Sequence, residues 1–385
     1  MAEAAGPERP LRVVFCHYAA DFGGGSDRSL FDLATHLPRD RFTPIMILKS
    51  GDPLAPAYRA AGVDAFELPF VSPRGAIGRY LRRFWPSAVR VARLISKTKA
   101  DLVHVNTLYN LVGAVAARLA RRPLVWHVRE ILPDSRAVAW ILRLQALLAT
   151  RAIAISSSVA NTMAVPPGRL RLVPNGVDLS EYDTLPDTAA FQAELAVVAG
   201  APVVTTIGRI EPWKGQHVFV EAVPAILEAH PHARVLIVGA PAAKKPEYEI
   251  GLRARCRELG IEGQVLFTGA RKDVPAVLAA SDVLVLPSAT PEPFGRTVVE
   301  AMAAGVPVVA TAAGGPLDTV ADGDTGWLVP PNDPDALAAK VNELLSDPAR
   351  ARAMGEHGRQ RAHALFSLGR LIRDMTAVFE EAPRR

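Results

Sequence analysis

Hydrophobic positions along the chain fall into two recurring patterns. Short runs that are apolar throughout and rich in Val and Ile read as strands covered on both faces. Stretches with apolar residues three and four apart read as amphipathic helices. In the first half the pattern predicts strands over Leu11–Cys16, Pro44–Leu48, Val63–Leu68, Asp101–Asn106, Pro123–Val128, Arg151–Ser156 and Arg169–Val173, with helices including Ser29–Leu37, Leu111–Ala120 and Val138–Ala149 between them. Residues Val173 to Asp187, with two prolines and a glycine, read as a linker.

The alternation then restarts. Strands are predicted over Pro202–Ile207, Arg234–Val238, Gln264–Thr268, Asp282–Leu286, Val306–Ala310 and Gly326–Val329, and helices over Gln216–Glu228, Glu249–Leu259 and Val299–Ala304. Asp333 followed by Pro334 starts a further helix, with Asp333 as its cap. Helical patterns then continue to the carboxyl terminus. The expected organisation is α/β, with two similar-sized domains in tandem at 1–180 and 181–366. Open parallel sheets bind ligands outside the carboxyl ends of their strands.

Composition narrows the classes. The chain has 385 residues, 49% of them apolar and 22% charged, ordinary usage for a globular protein of two or three domains. Its two cysteines, Cys16 and Cys256, exclude a disulfide framework and favour a reducing compartment. The first ten residues, MAEAAGPERP, have no apolar core, so no secretory signal is expected. Apolar runs such as Ala301 to Gly315 are broken by Pro and Gly, so no spanning helix is expected either. The expected location is the cytoplasm.

Charge is uneven. Residues 1–180 hold 24 Lys+Arg against 13 Asp+Glu, a net of +11, whereas residues 181–385 hold 20 against 26, a net of −6. No acidic residue lies between Glu67 and Asp101, where Arg74, Arg79, Arg82, Arg83, Arg90, Arg93, Lys97 and Lys99 are interleaved with Tyr80, Leu81, Phe84 and Trp85. Arg79, Arg82, Arg83, Trp85 and Arg90 form a candidate patch for an anionic membrane surface or a charged acceptor. An ordinary surface helix is the competing reading. Nucleic acid is disfavoured, because no RNA- or DNA-binding signature accompanies the charge.

Three segments carry candidate chemistry. Gly23-Gly24-Gly25-Ser26 joins the first strand to a helix, with Ser26 as a candidate cap. Such a turn is either flexible or an anion cradle. It is not a dinucleotide fingerprint, since Arg28 stands where Gly is needed and the second strand ends in Lys49 rather than an acidic residue. Gly208-Arg209…Lys214-Gly215 places two cations five residues apart. They could converge on a diphosphate or decorate a surface loop. Pro287 to Met302 follows a strand and holds Glu292 in a loop and Glu300 in a helix, where carboxylates suit sugar hydroxyls. Asp322-Gly323-Asp324 reads as a turn rather than a metal site, and no metal is expected.

In this order, Gly23-Gly24-Gly25, Val173-Pro-Asn175-Gly176-Val-Asp178, Gly208-Arg209…Lys214-Gly215 and Glu292-x7-Glu300 resemble the retaining glycosyltransferases of the GT-B fold, and within them the family 4 group. The resemblance covers nearly the whole chain. It implies a UDP- or GDP-linked sugar donor held by the second domain and no resident cofactor. It further implies two Rossmann-like domains facing across a cleft, a glycan or lipid-linked acceptor held by the first domain, and a last segment, 367–385, whose helix over Leu368–Glu381 crosses back to that domain. Arg209 and Lys214 would hold the diphosphate, Glu292 the sugar hydroxyls and Glu300 the ribose. Backbone groups of Phe294, Gly295, Arg296 and Thr297 would touch sugar and phosphates, those of Ala270 and Arg271 the base, and Gly23 and Gly24 would close over the phosphates. His127, at a strand end, would contact the donor sugar, although such a histidine is equally a core residue. The expected product is a cell-surface polysaccharide or glycolipid. The alternatives are a GT-B epimerase or hydrolase and a non-catalytic sugar-nucleotide-binding module.

Overall fold

The computed structural model describes residues 9–17, 24–69, 77–194, 200–241 and 245–384, with the side chains of 77, 79, 190 and 384 excepted. Gly23 and Arg74, and the side chain of Arg79, lie outside the described residues. The chain divides into two compact units. One runs up to Gly176 and includes the residues from Leu368 onward; the other is Val177–Ser367.

The first unit contains β1 (Leu11–Cys16), β2 (Phe42–Lys49), β3 (Asp64–Leu68), β4 (Leu102–Asn106), β5 (Leu124–Val128), β6 (Arg151–Ala154) and β7 (Leu170–Leu172). They form one parallel sheet in the order β3-β2-β1-β4-β5-β6-β7. The second contains β8 (Val203–Ile207), β9 (Arg234–Val238), β10 (Val265–Gly269), β11 (Val283–Leu286), β12 (Val308–Thr311) and β13 (Gly326–Val329), also parallel, in the order β10-β9-β8-β11-β12-β13. Each predicted strand is present, with ends displaced by two residues or fewer. The reason is the uniform burial of central strands such as β4 and β5, which only a sheet with helices on both faces provides.

In each unit the strand order reverses once, between β1 and β4 and between β8 and β11. Crossover connections there leave for opposite faces of the sheet and open a crevice at the strands' carboxyl ends.

Three sequence expectations change. The first helix spans Gly25–His36, with Gly24 at its cap, so Ser26 lies inside the first turn rather than capping it. The expected linker is not featureless: Ser180–Asp183 is a short helix, and Val177 pairs with Ser367 and donates its N–H to Phe366 O at 2.9 Å. Those contacts place the division at Gly176/Val177 rather than at residue 180. Asp333 caps its helix as expected, accepting from Ala336 N at 2.9 Å.

The last helix, Leu368–Glu381, returns to the first unit. Leu371, Met375, Val378 and Phe379 complete the core around Phe15, Phe42 and Leu33. Arg41 pairs with Glu380, while Arg151 and Arg171 both reach Glu381. Cys16 and Cys256 are buried free thiols, and burial pushes Cys16 up to about 12, which makes it unreactive at neutral pH. No helix among the described residues is long and apolar enough to cross a membrane.

Candidate active site

The two loops on either side of the β8/β11 reversal carry the site. After β8 the chain runs through Gly208 and Arg209 into a short turn, Pro212–Lys214, and then into helix Gln216–Ala229. Gly215 joins turn and helix in the left-handed region, at φ 73°. A Cβ there would lie 1.9 Å from Pro287 O, so only glycine lets this loop approach the one after β11. Ala289 N donates to Trp213 O at 3.0 Å and seals the contact.

The β11 loop holds Ser288, fully buried, and Glu292, 7% exposed. Glu292 is fixed through its backbone: Gly315 N donates to Glu292 O at 2.6 Å, and Glu292 N donates to Ala313 O at 3.3 Å. Gly314, at φ 82°, passes so close that a Cβ would lie 2.1 Å from Glu292 O.

The consequence is a buried ion pair. Lys214 Nζ lies 2.7 Å from Glu292 Oε2, and Ser288 Oγ donates to the same oxygen at 3.2 Å. Glu292 Oε1 receives no hydrogen bond among the described residues. The Lys214 ammonium also sits 4.2 Å from the Trp213 ring centroid. Trp213 in turn donates Nε1–H to Glu211 Oε2 at 2.6 Å. Arg209 contrasts with Lys214. Its side chain is 49% exposed and meets Glu211 only at 3.5 Å, leaving a guanidinium open to a ligand.

Gly295, at φ 84°, starts the helix Arg296–Ala303. The orphan backbone N–H groups of its first turn face the same end of the sheet and favour an anion. Phe294 is buried against Phe366, ring centroids 5.9 Å apart. Within the helix Arg296 Nε donates to Glu300 Oε1 at 2.8 Å, so Glu300 is half-buried rather than a solvated glutamate.

The structure therefore gathers Arg209, Lys214, Glu292, Phe294 to Thr297 and Glu300 on the two loops beside one strand reversal. Ala270 and Arg271 follow β10, at the sheet edge. The Arg271 side chain is committed to Glu194 and Asp273 and lies over the Phe191 ring, which leaves only backbone for a ligand. Asp322-Gly323-Asp324 forms a turn, with Gly323 at φ 78° and Asp322 accepting from Leu328 N.

In the first unit, Gly24 caps its helix as the end of the glycine loop. His127 is 0% exposed; its Nδ1 faces His104 Nε2 at 3.2 Å, while its Nε2 has no hydrogen-bond partner among the described residues. Burial holds both histidines well below their ordinary value, and the nearby Arg129 charge adds to that. Arg82, Arg83, Trp85 and Arg90 are exposed on helix Ile77–Lys97. Trp85 is 61% exposed, with Leu81 and Val89 one turn to either side.

Sequence reasoning missed Ser288 and the Gly314-Gly315 loop. The second had a legible signal, since adjacent glycines in a loop that follows a strand also mark the Gly23-Gly24-Gly25 stretch.

Two parallel α/β units, one with a cation pair, a helix amino terminus and buried carboxylates at its strand reversal, define the architecture of a nucleotide-sugar-dependent transferase. Comparison with known proteins agrees. Residues 187–361 match the family "Glycosyl transferases group 1" and residues 23–181 match "Glycosyltransferase Family 4". The chain belongs to this family and is a glycosyltransferase acting on nucleotide-sugar donors.

It is 32% identical over 288 residues to the GDP-mannose-dependent alpha-(1-6)-phosphatidylinositol monomannoside mannosyltransferase of Mycolicibacterium smegmatis, covering 71% of this chain and 74% of that protein. It is 34% identical over 221 residues to the D-inositol 3-phosphate glycosyltransferase of Corynebacterium urealyticum, covering 56% of this chain and 52% of that protein. The chain thus spans about half the length of that second relative. Among solved structures, Anabaena HepE in complex with UDP and glucose superposes with a TM-score of 0.84 at 27% identity, covering 96% of this chain and 99% of that one. The fold is GT-B.

Proposed function

We propose that the chain is a retaining glycosyltransferase that moves a sugar from a UDP- or GDP-linked donor to an inositol-phosphate or lipid-linked acceptor in glycolipid or cell-surface polysaccharide synthesis. The observation that carries this reading is the Lys214–Glu292 pair beside the open Arg209 at the β8/β11 reversal. Arg209 and Lys214 supply positive charge for a diphosphate whose negative charge grows as the sugar–oxygen bond breaks, and fixed charges of this kind need no reorganisation during the reaction. The helix beginning at Arg296 adds backbone donors for the same anion. Glu292, with Oε2 held by Lys214 and Ser288, presents Oε1 to sugar hydroxyls, and Glu300 serves the ribose.

The departing diphosphate then accepts the acceptor's proton while the new bond forms on the same face of the sugar. The names of the mycobacterial and corynebacterial relatives support an inositol-based acceptor, and the UDP complex of HepE supports a uridine donor as strongly as the mannosyltransferase supports a guanosine one. Helix Ile77–Lys97, with exposed Leu81, Trp85 and Val89 among Arg82, Arg83 and Arg90, would rest on an anionic membrane that carries a lipid-linked acceptor.

The test is transfer from GDP-mannose, UDP-glucose or UDP-N-acetylglucosamine to D-inositol 3-phosphate or phosphatidylinositol monomannoside, with anomeric configuration read by NMR. Retained configuration in the product, lost in Lys214→Ala and Glu292→Ala, is the expected result. Inverted product, or undiminished turnover in both variants, overturns the reading.

A further inference from the structure

The first unit contains a chain of buried polar side chains that the chemistry above does not use. It runs across the carboxyl ends of β1, β4 and β5. Arg129, one residue beyond β5, donates Nε–H to Asn106 Oδ1 at 2.6 Å and a second N–H to Asn175 Oδ1. Asn106 Nδ2 lies 3.3 Å from His17 Nδ1, and His17 Nε2 lies 3.0 Å from Asp27 Oδ1. His17, Asp27, Asn106, Arg129 and Asn175 are each 7% exposed or less.

The direction of this chain is forced. A guanidinium only donates, so the Asn106 oxygen must face Arg129. The Asn106 amide nitrogen must then face His17 and donate to Nδ1. With Nδ1 accepting, the His17 proton is on Nε2 and is donated to Asp27. Every member has one role, and the last is a carboxylate.

That carboxylate borders a cavity. Asp27 lines a space of about 400 Å³ together with Gly24, Arg28, Phe31, Leu54 and Ala57. Asp27 is 6% exposed, and its Oδ2 receives no hydrogen bond among the described residues. That oxygen is not sealed in the interior: it opens to the space and can accept from a ligand hydroxyl there. The remaining wall is mostly apolar, from Phe31, Leu54 and Ala57, which suits the C–H face of a saturated ring. Arg28 keeps its Nε on Asp32 at 3.0 Å.

We propose that Asp27 receives a hydroxyl of the acceptor substrate, a cyclitol or sugar ring, and that His17 is the positioning residue that holds it for this task under the one-way chain from Arg129. The inference rests on the glycosyltransferase reading above and assigns a polyol-binding carboxylate to the first unit.

The experiment uses the full chain, UDP-glucose and GDP-mannose as donors and D-inositol 3-phosphate and phosphatidylinositol monomannoside as acceptors. Asp27→Asn should raise the acceptor KM at least tenfold, with UDP or GDP affinity and acceptor-free donor hydrolysis within twofold of the parent. His17→Gln places an amide N–H where Nε2–H was and should keep the acceptor KM within about threefold. His17→Asn mimics the other nitrogen and should behave like Asp27→Asn. The pattern separates positioning from packing, because a merely structural role would track the thermal midpoint rather than the nitrogen that is retained. If Asp27→Asn folds with an unchanged midpoint and an unchanged acceptor KM, or if it weakens nucleotide binding in parallel, the assignment is overturned. If the parent chain cleaves no nucleotide sugar, the reading of the second unit fails instead. If, in addition, Asp27→Asn leaves unchanged the thermal shift produced by millimolar D-inositol 3-phosphate, the Asp27 assignment fails as well.

Discussion

Lys214 and Glu292 are 78 positions apart in the chain, yet Lys214 Nζ and Glu292 Oε2 are separated by 2.7 Å. The pair joins the two loops that leave β8 and β11, the neighbouring strands at which the sheet order reverses. Both side chains are largely buried, at 17% and 9% exposure. The ion pair is therefore a structural brace as well as a ligand site.

Removal of one partner should leave an uncompensated charge. Lys214→Met or Glu292→Leu alone is expected to destabilise the protein by on the order of 3 kcal/mol, whereas the double substitution should recover much of that loss. Urea unfolding of the parent, both single variants and the double variant measures the coupling. Transfer activity should be absent from all three variants.

Gly215→Ala tests the close approach of the two loops. Alanine would have to adopt φ 73° with its Cβ 1.9 Å from Pro287 O. The left-handed conformation alone costs about 1–2 kcal/mol, and relief of the clash must push the loops apart. The expected outcome is a loss of UDP or GDP affinity of about tenfold or more, equivalent to about 1.4 kcal/mol, read by calorimetric titration.

His104 and His127 give a pH dependence. Burial, first, and Arg129, second, hold both below the ordinary 6.5 in the folded state. As pH falls through that ordinary value the unfolded chain takes up protons that the folded chain refuses. Stability from this pair is thus present above about pH 6.5 and is lost on acidification. Thermal midpoints between pH 7.5 and 5.0 should fall, and the slope should flatten in His104→Gln/His127→Gln. An unchanged slope would show that other groups control acid sensitivity.

Phe379, 0% exposed, packs edge-on to both Phe15 and Phe42. Phe379→Ala should cost about 3–5 kcal/mol, the usual consequence of an aromatic-sized void. Limited proteolysis should then cut within the first unit before the second, because only the first unit's core contains this ring.

Helix Ile77–Lys97 can be tested without touching the site. Trp85→Ser with Arg82→Glu and Arg83→Glu should abolish co-sedimentation with phosphatidylglycerol vesicles at low salt. Acceptor-free donor hydrolysis should remain as in the parent. Parent chain left in the supernatant at low salt would rule out the membrane role.

The chain's own pattern of Val- and Ile-rich runs determined the strands, because residues buried on both faces leave no polar alternation and only a covered parallel sheet accepts them. Leu368–Glu381 was legible as a helix for the complementary reason: its apolar stripe has the helical period. The glycines at 24, 208, 215 and 295 marked the loops that carry chemistry. Periodicity is blind to strand order, however, and strand order is what sets Arg209 and Lys214 beside Glu292. The same blindness hid the partner of His127 Nδ1, which is His104 on the neighbouring strand β4. It hid Asp27 as well, an ordinary first-turn carboxylate until β4 and β5 bring Asn106 and Arg129 behind His17. Local sequence determines which backbone each segment prefers; only the folded chain decides which distant polar groups share a desolvated space, and in that space a charge must find a partner or a substrate.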